Sequence, residues 1–236
     1  MRGLSFKNPQ RTLSLYSLLP MMLRSLLRPR FSVLARIPAR PVGLAARHQS
    51  TVPSISSVID QRAAKQKEDA VWMDKLLKET EGGGYILSQA GMFAEPVTWG
   101  DHDTFDHVNN VRYLKWFETA RVNLFNSLVE HYPGHGFETF MTTNGVGPII
   151  RSVELAWRYP IRYPDQVTVL HKLEPITQPD RFVLKGVVVS HKARKVAARI
   201  TEVVVTVDYT KGGIKAPIPD QIAKAFNHRL ELQSQH

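Results

Sequence analysis

The sequence of 236 residues contains no cysteine, and this absence excludes several kinds of chemistry. A disulfide, a thiolate nucleophile and a cysteine-based metal centre all require cysteine. No apolar run approaches the ~20 residues that a membrane-spanning helix requires, so we predict no membrane span. Acidic residues are also missing from the first 50 positions, and the first one along the chain is Asp60.

The positive charge of the chain is concentrated at its N-terminus. Residues 1–50 hold eight Arg and one Lys, so almost all of the net charge of +10 belongs to them. Because the remainder is nearly neutral, the charge does not indicate nucleic-acid binding. An acid-free leader rich in Arg and Ser is typical of a mitochondrial transit peptide, and we predict one over residues 1–50, with location in the matrix. A secretory signal is the alternative, because residues 13–23 are apolar, but the arginines lie on its wrong flank.

Residues 51–94 are predicted to form an N-terminal extension. Apolar residues recur with helical spacing over residues 58–80, which predicts a charged amphipathic helix that packs on the domain or on a dimer surface. Three glycines at residues 82–84 follow it and predict a stop and a hinge. The main domain is predicted over residues 95–229, and a C-terminal tail over residues 230–236.

A polar loop at the start of the main domain carries the residues of most chemical interest. Residues 97–99 predict a strand, while Asn109 and Asn110 are good caps for a helix that runs to residue 129. Asp103 and His107 therefore lie between a strand end and a helix N-terminus. Free N–H groups at the start of a helix favour a developing oxyanion. The Asp103 carboxylate can act as base or nucleophile, and the His107 imidazole can orient a substrate or share a proton. A well-capped loop without chemistry is the alternative interpretation.

The spacing of these residues resembles a known family signature. Asp103 is followed by His-Val-Asn-Asn at residues 107–110, by Tyr113, and by Trp-Phe-Glu-x-Ala-Arg at residues 116–121. This pattern resembles the hotdog-fold acyl-CoA thioesterases of the 4-hydroxybenzoyl-CoA thioesterase-like group. The His-Val-Asn-Asn run is also similar to that of plant acyl-ACP thioesterases. The resemblance covers roughly residues 95–226.

The resemblance implies roles for individual residues. Asp103 matches the carboxylate that serves as nucleophile or general base, and Asn110 lies where a helix N-terminal amide polarises the thioester carbonyl. His107 matches the histidine of the Asp-x-Asn-x-His set of the plant enzymes, in which Phe105 here replaces the asparagine. Asp106 stands where bacterial relatives usually have glycine. The catalytic residues implied are therefore Asp103, His107 and Asn110.

The resemblance also implies a substrate and an assembly. The substrate is an acyl-CoA or acyl-carrier thioester, Phe105 and Tyr113 are predicted to bind it, and the assembly is a homodimer or homotetramer. For Tyr113, packing in the core is the alternative, because aromatic residues at helical spacing are usually buried. Neither a cofactor nor a metal site is predicted. The alternative function is a non-catalytic hotdog subunit that binds acyl groups or scaffolds a mitochondrial complex.

Four strands and a short helix are predicted after the central helix. The strands cover residues 147–159, 166–173, 182–189 and 195–209, and the helix covers residues 219–229. In the first strand, one face is predicted to carry Ile149, Val153, Leu155 and Trp157, with Arg151 interrupting it. Glu118 and Arg121 of the central helix are predicted to form a surface or interface ion pair. A sheet with one early helix must bury the apolar stripe of that helix. We therefore predict an α+β hotdog fold, in which an antiparallel sheet wraps around one long central helix.

Overall fold

The computed structural model of the chain describes residues 54–134 and 136–236, so the predicted transit peptide lies outside the described residues. The main elements in chain order are α1 (Ile55–Lys78), β1 (Met92–Pro96), α2 (Asn110–His131), α3 (Phe137–Phe140), β2 (Val146–Trp157), β3 (Gln166–Leu173), β4 (Arg181–Ser190), β5 (Lys195–Asp208), β6 (Ile214–Lys215) and α4 (Asp220–Gln233). None of the described helices is long and apolar enough to cross a membrane.

The strands form one antiparallel sheet with the order β1-β3-β4-β5-β2, and β6 pairs with the end of β5. The long strands β3, β4 and β5 are consecutive in sequence and adjacent in the sheet, as short hairpin connections require. The sheet curls around α2. The predicted α+β fold with one central helix is therefore confirmed.

The central helix α2 forms where its cap and its apolar stripe predict it. The side-chain oxygen of Asn109 accepts a hydrogen bond from Val111 N at 2.9 Å, which satisfies one of the free donors of the first turn. Its buried stripe packs on valine, alanine and isoleucine side chains of β3, β4 and β5. That stripe consists of Tyr113, Trp116, Phe117 and Ala120. This packing fixes the start of α2, and the loop before it, at one end of the sheet.

The opposite face of the sheet is covered by α1. Met73 and Leu77 of this helix belong to one buried cluster with Leu170, Val187 and Val189. Because helices cover both faces, β3 and β4 are buried along almost their whole length instead of alternating between core and solvent. The helix predicted over residues 58–80 therefore packs on the domain.

The C-terminal helix α4 protects one edge of the sheet. Strand β1 pairs only with the first half of β3, as far as Val169. Beyond it, Gln233 Oε1 accepts a hydrogen bond from Leu173 N at 2.9 Å, and Gln233 Nε2 donates one to Leu173 O at 2.8 Å. The helix thus continues through most of the C-terminal tail predicted over residues 230–236. The Gln233 side chain makes the hydrogen bonds with β3 that a neighbouring strand would otherwise make.

The other edge of the sheet is β2, which pairs only with β5 among the described residues. A bulge between Ile150 and Ser152 leaves Arg151 as an extra residue opposite β5. The bulge shifts the alternation by one residue, so Ile149 and Val153 lie on opposite faces. The predicted face is therefore wrong for Ile149, while Val153, Leu155 and Trp157 do share a face.

The chain turns immediately after β1, and the strand predicted at residues 97–99 is therefore wrong. The strand ends at Pro96, and Thr98 begins a single 3₁₀ turn, Trp99–Asp101. Thr98 N and Oγ1 both donate hydrogen bonds to Asp101 Oδ2, at 2.7 and 2.9 Å. This local capping interaction outweighs the strand preference of the β-branched residues.

Candidate active site

Asp101 holds the base of the polar loop in place. Its side chain is buried and contacts Arg112 Nε at 2.7 Å through Oδ1, in addition to its bonds with Thr98. Its backbone oxygen accepts a hydrogen bond from Asn109 N at 2.8 Å. The loop between Asp101 and Asn109 is therefore closed at its base, directly before α2.

Asp103 and His107 face each other across this loop. Asp103 Oδ2 lies 3.6 Å from His107 Nδ1, and Asp103 N donates a hydrogen bond to His107 O at 3.0 Å. The other carboxylate oxygen, Oδ1, accepts a hydrogen bond from Phe105 N at 2.9 Å. The side chains of Asp103 and His107 are 21% and 32% exposed, so water can reach both. A carboxylate next to an imidazole in a water-accessible loop can accept or transfer a proton.

Asp106 allows the backbone to turn between these two residues. Its φ is +59°, in the left-handed region, which aspartate tolerates better than most residues with a side chain. Glycine would adopt the same conformation without strain. The Asp106 side chain is 82% exposed and lies on the outside of the loop.

The N-terminus of α2 supplies an unpaired backbone donor. Val111 N is bonded to the Asn109 side chain, and Arg112 N donates to Asn109 O at 2.9 Å. The Asn110 amide makes no hydrogen bond with any described residue. Because the helix dipole adds to its positive partial charge, this amide is a favourable neighbour for an oxyanion.

A cavity of ≈ 240 Å³ lies between the start of α2 and the end of β2. The loop and helix contribute His107, Asn110 and Tyr113 to its wall, and the segment at the end of β2 contributes Trp157, Arg158 and Tyr159. The structure therefore brings His107, Asn110 and Tyr113 together, with Asp103 next to the cavity through its contact with His107. Within residues 54–134 and 136–236, no group of three or more His, Asp or Glu side chains is placed to hold a metal ion.

The two residues predicted to bind substrate occupy different positions. Tyr113 is 2% exposed, and its hydroxyl accepts a hydrogen bond from Ile161 N at 3.4 Å. Burial raises the pKa of the Tyr113 hydroxyl to about 12, so it stays protonated and serves mainly as a packed wall of the cavity. Phe105 is 76% exposed and stacks on His107, with ring centroids 6.2 Å apart. It lies outside the cavity, at the rim of the loop.

Sequence reasoning missed the contribution of residues 157–159. Their only signal is position, because they end a strand where the chain enters a loop, and such places often carry binding residues. Arg158 makes no ion pair with a described residue, and Lys195 Nζ lies 5.5 Å from the centroid of the Tyr159 ring. The cavity therefore has a positively charged mouth.

The predicted ion pair between Glu118 and Arg121 is wrong. Glu118 pairs instead with Lys115, at 2.6 Å. Arg121 Nη1 donates a hydrogen bond to Oε1 of Glu202, which lies on β5 and is 1% exposed. Burial raises the pKa of the Glu202 carboxyl to about 7, although Arg121 opposes this shift. Alternation along β5 does not reveal the pair, because α1 and α2 cover both faces of the sheet.

Comparison with known proteins agrees with this description. An antiparallel sheet curled around one central helix is the hotdog fold. The profile of the thioesterase-like superfamily matches residues 97–226, and the chain belongs to this family. No curated protein matches the chain.

Two solved structures illustrate the likeness. The DHNA-CoA thioesterase from Staphylococcus aureus is 16% identical, with a TM-score of 0.50, over 61% of this chain and 92% of that one. The PA2801 protein from Pseudomonas aeruginosa is 25% identical, with a TM-score of 0.47, over 56% of this chain and 95% of that one. The likeness to the first of these supports the fold.

Proposed function

We propose that the protein hydrolyses acyl-CoA or acyl-carrier thioesters, with Asp103 as general base or nucleophile. The observation that carries this proposal is the unpaired Asn110 amide, which lines a cavity directly beside the Asp103–His107 contact. An N–H donor and a carboxylate placed around one cavity are the two groups that acyl transfer needs. Membership of the thioesterase-like superfamily supports the same reaction class.

The roles of the groups follow from their chemistry. As a base, Asp103 takes a proton from water while the water oxygen attacks the thioester carbonyl carbon. The carbonyl oxygen becomes an oxyanion that accepts a hydrogen bond from Asn110 N. The carbon–sulfur bond then breaks, and the thiolate receives the proton that Asp103 took from water. His107, whose Nδ1 lies 3.6 Å from Asp103 Oδ2, can carry this proton. As a nucleophile, Asp103 instead attacks the carbonyl carbon, the carbon–sulfur bond breaks with loss of the thiolate, and water hydrolyses the acyl anhydride that remains, which restores the Asp103 carboxylate.

The hydrolysis itself is tested with the full-length protein and a panel of short, medium, long and aromatic acyl-CoAs, followed by acyl-carrier substrates. We expect release of free thiol from at least one class, detected with a thiol reagent. If no acyl-CoA and no acyl-carrier substrate is hydrolysed, the non-catalytic subunit takes the place of this proposal.

The protein is also proposed to form a homodimer or homotetramer in which β2 strands of two copies pair. The edge of β2 is open among the described residues and exposes four large apolar side chains. These are Ile149, Ile150, Val153 and Trp157. An open apolar strand edge favours pairing with another strand. Because Trp157 also lines the cavity, pairing here brings the second copy next to the proposed site.

Charges on this edge are expected to separate the subunits. In the double variant Ile149→Lys, Ile150→Lys, like charges from two copies would meet, and we expect a monomer in sedimentation analysis. The matched control is Ile55→Lys, Ile59→Lys, which adds the same charge at exposed positions of α1 and should leave the assembly unchanged. An unchanged molecular mass in the β2 variant would contradict the proposed interface.

The mitochondrial matrix is the proposed location. It rests on the composition of residues 1–50, which resembles a matrix transit peptide and supplies nearly all of the positive charge.

A further inference from the structure

A second groove runs along α2 from the candidate active site. It has a cavity of ≈ 240 Å³, and its apolar walls are Val111 and Leu114 of α2 and Ile150 and Val153 of β2. The two cavities share no lining residue but lie next to each other on both walls. Leu114 lies one helical turn beyond Asn110 on α2, and Val153 and Trp157 share one face of β2. The groove therefore extends away from the point where the thioester would bind.

The far end of this apolar groove carries a charged residue, Arg121. One of its N–H groups bonds to Glu202, and its other N–H groups make no hydrogen bond with a described residue. Its side chain is 14% exposed, and it lines the groove. A guanidinium has five N–H donors, so Arg121 retains capacity for another acceptor.

The charge of Arg121 is only partly compensated. Burial favours the neutral form of Glu202, whose pKa is about 7. Behind it, His171 Nε2 lies 3.5 Å from Glu202 Oε2, and burial lowers the pKa of this histidine to about 3, so it is uncharged at neutral pH. The other two charged residues of the groove, Lys115 and Glu118, pair with each other. Lys115, and to a smaller extent Arg121, lower the pKa of the Glu118 carboxyl, so the charge of this acid is shared between two cations. The end of the groove is therefore slightly positive.

A plain hydrocarbon end fits this place poorly. A terminal methyl group against Arg121 would remove its remaining water and leave its N–H groups unpaired, which is costly. A carboxylate in the same place would accept two parallel hydrogen bonds from the guanidinium. Along α2, Arg121 is eleven residues from Asn110, which corresponds to about 16 Å at about 1.5 Å per residue. A short acyl group would not reach it, whereas one of medium length would.

We infer that Arg121 is a specificity-determining residue that binds a carboxylate at the far end of the acyl group, so that the preferred substrates are medium-chain monothioesters of dicarboxylic acids. This inference rests on the proposed function and adds a substrate class to it. The groove holds the apolar middle of such a chain, and Arg121 pairs with its free carboxylate.

The test compares matched substrates that differ only at the far end. With the full-length protein, we expect kcat/KM for decanedioyl-CoA to exceed that for decanoyl-CoA about tenfold, the size of one charge-assisted hydrogen bond. The double variant Arg121→Met, Glu202→Leu removes both partners of the buried pair, a change that folds usually tolerate. In it, KM for decanedioyl-CoA should rise about tenfold with little change in kcat, and decanoyl-CoA should become the better substrate.

Two further variants keep the test decisive. Lys78→Met, Asp74→Leu removes an exposed ion pair of α1 and should leave the substrate preference unchanged. If the first double variant does not fold, Arg121→Lys retains the charge but loses the planar fork, and the preference should weaken.

Equal kcat/KM for the two substrates in the wild type, with hydrolysis of hexanoyl-CoA intact, would overturn this inference and leave the proposed function standing. No hydrolysis of any of the three would also overturn this inference, whereas the proposed function would fall only if the wider panel of acyl-CoA and acyl-carrier substrates also failed.

Discussion

Asp103→Asn is expected to lower kcat/KM for thioester hydrolysis by about 10³-fold, a typical loss when a general base or its equivalent is removed. The amide is the same size as the carboxylate, and its oxygen can still accept the hydrogen bond from Phe105 N. It cannot take a proton from water or attack a carbonyl carbon at neutral pH. The loss should therefore appear in kcat, with an unchanged melting temperature and an unchanged molecular mass.

The neighbouring carboxylate provides the matched control for this measurement. Asp106→Asn makes the same chemical change three residues further along, at a side chain that is 82% exposed and lies outside the loop. Asparagine also tolerates the left-handed conformation at this position. We expect activity within about twofold of the wild type, as for most exposed substitutions. Full activity of Asp103→Asn would remove Asp103 from the proposed mechanism.

Much of the fold could be predicted because its signals are local. Asn109 caps α2, an apolar stripe marks the buried side of that helix, and alternation marks most of β5. The position of Asp103 and His107 before the helix follows from the same signals. The hydrogen bonds between Asp103, Phe105 and His107 are local, so the sequence contains part of the information. The segment at residues 161–163 also bonds to the loop, through Val108 N, Asp106 O and His102 Nε2.

The rest depends on residues that are distant in the sequence. Gly91 passes so close to α2 that a Cβ there would lie 2.1 Å from Ala120 O, and nothing near Gly91 indicates this approach. Arg121 finds its partner Glu202 on β5, although Glu118 is the nearer carboxylate in the sequence. The bulge at Arg151 changes which side chains of β2 face the helix. These features depend on how α2 packs against the curled sheet, and the spacing of residues along the sequence does not predict this packing.

Asn110→Pro is expected to lower kcat by about 10²- to 10³-fold, the usual effect of removing one oxyanion donor. Asn110 is the first residue of α2, a position that proline favours because its N–H has no partner within the helix. The preceding residue, Asn109, has φ −56° and ψ 136°, the extended conformation that a following proline requires. The substitution therefore removes one N–H group and leaves the helix in place, which circular dichroism can verify.

The backbone amide and the side chain of Asn110 can be separated by a second variant. Asn110→Ala keeps the N–H group and removes only the side-chain amide, so we expect near-normal kcat. If alanine and proline reduce kcat equally, the side chain is the donor; if neither does, the oxyanion is held elsewhere. Loss with proline alone would identify the backbone N–H of Asn110 as the donor. If Asp103→Asn lowers the same rate constant, both groups act on the same step. The thioester carbonyl would then lie between the start of α2 and the Asp103–His107 contact.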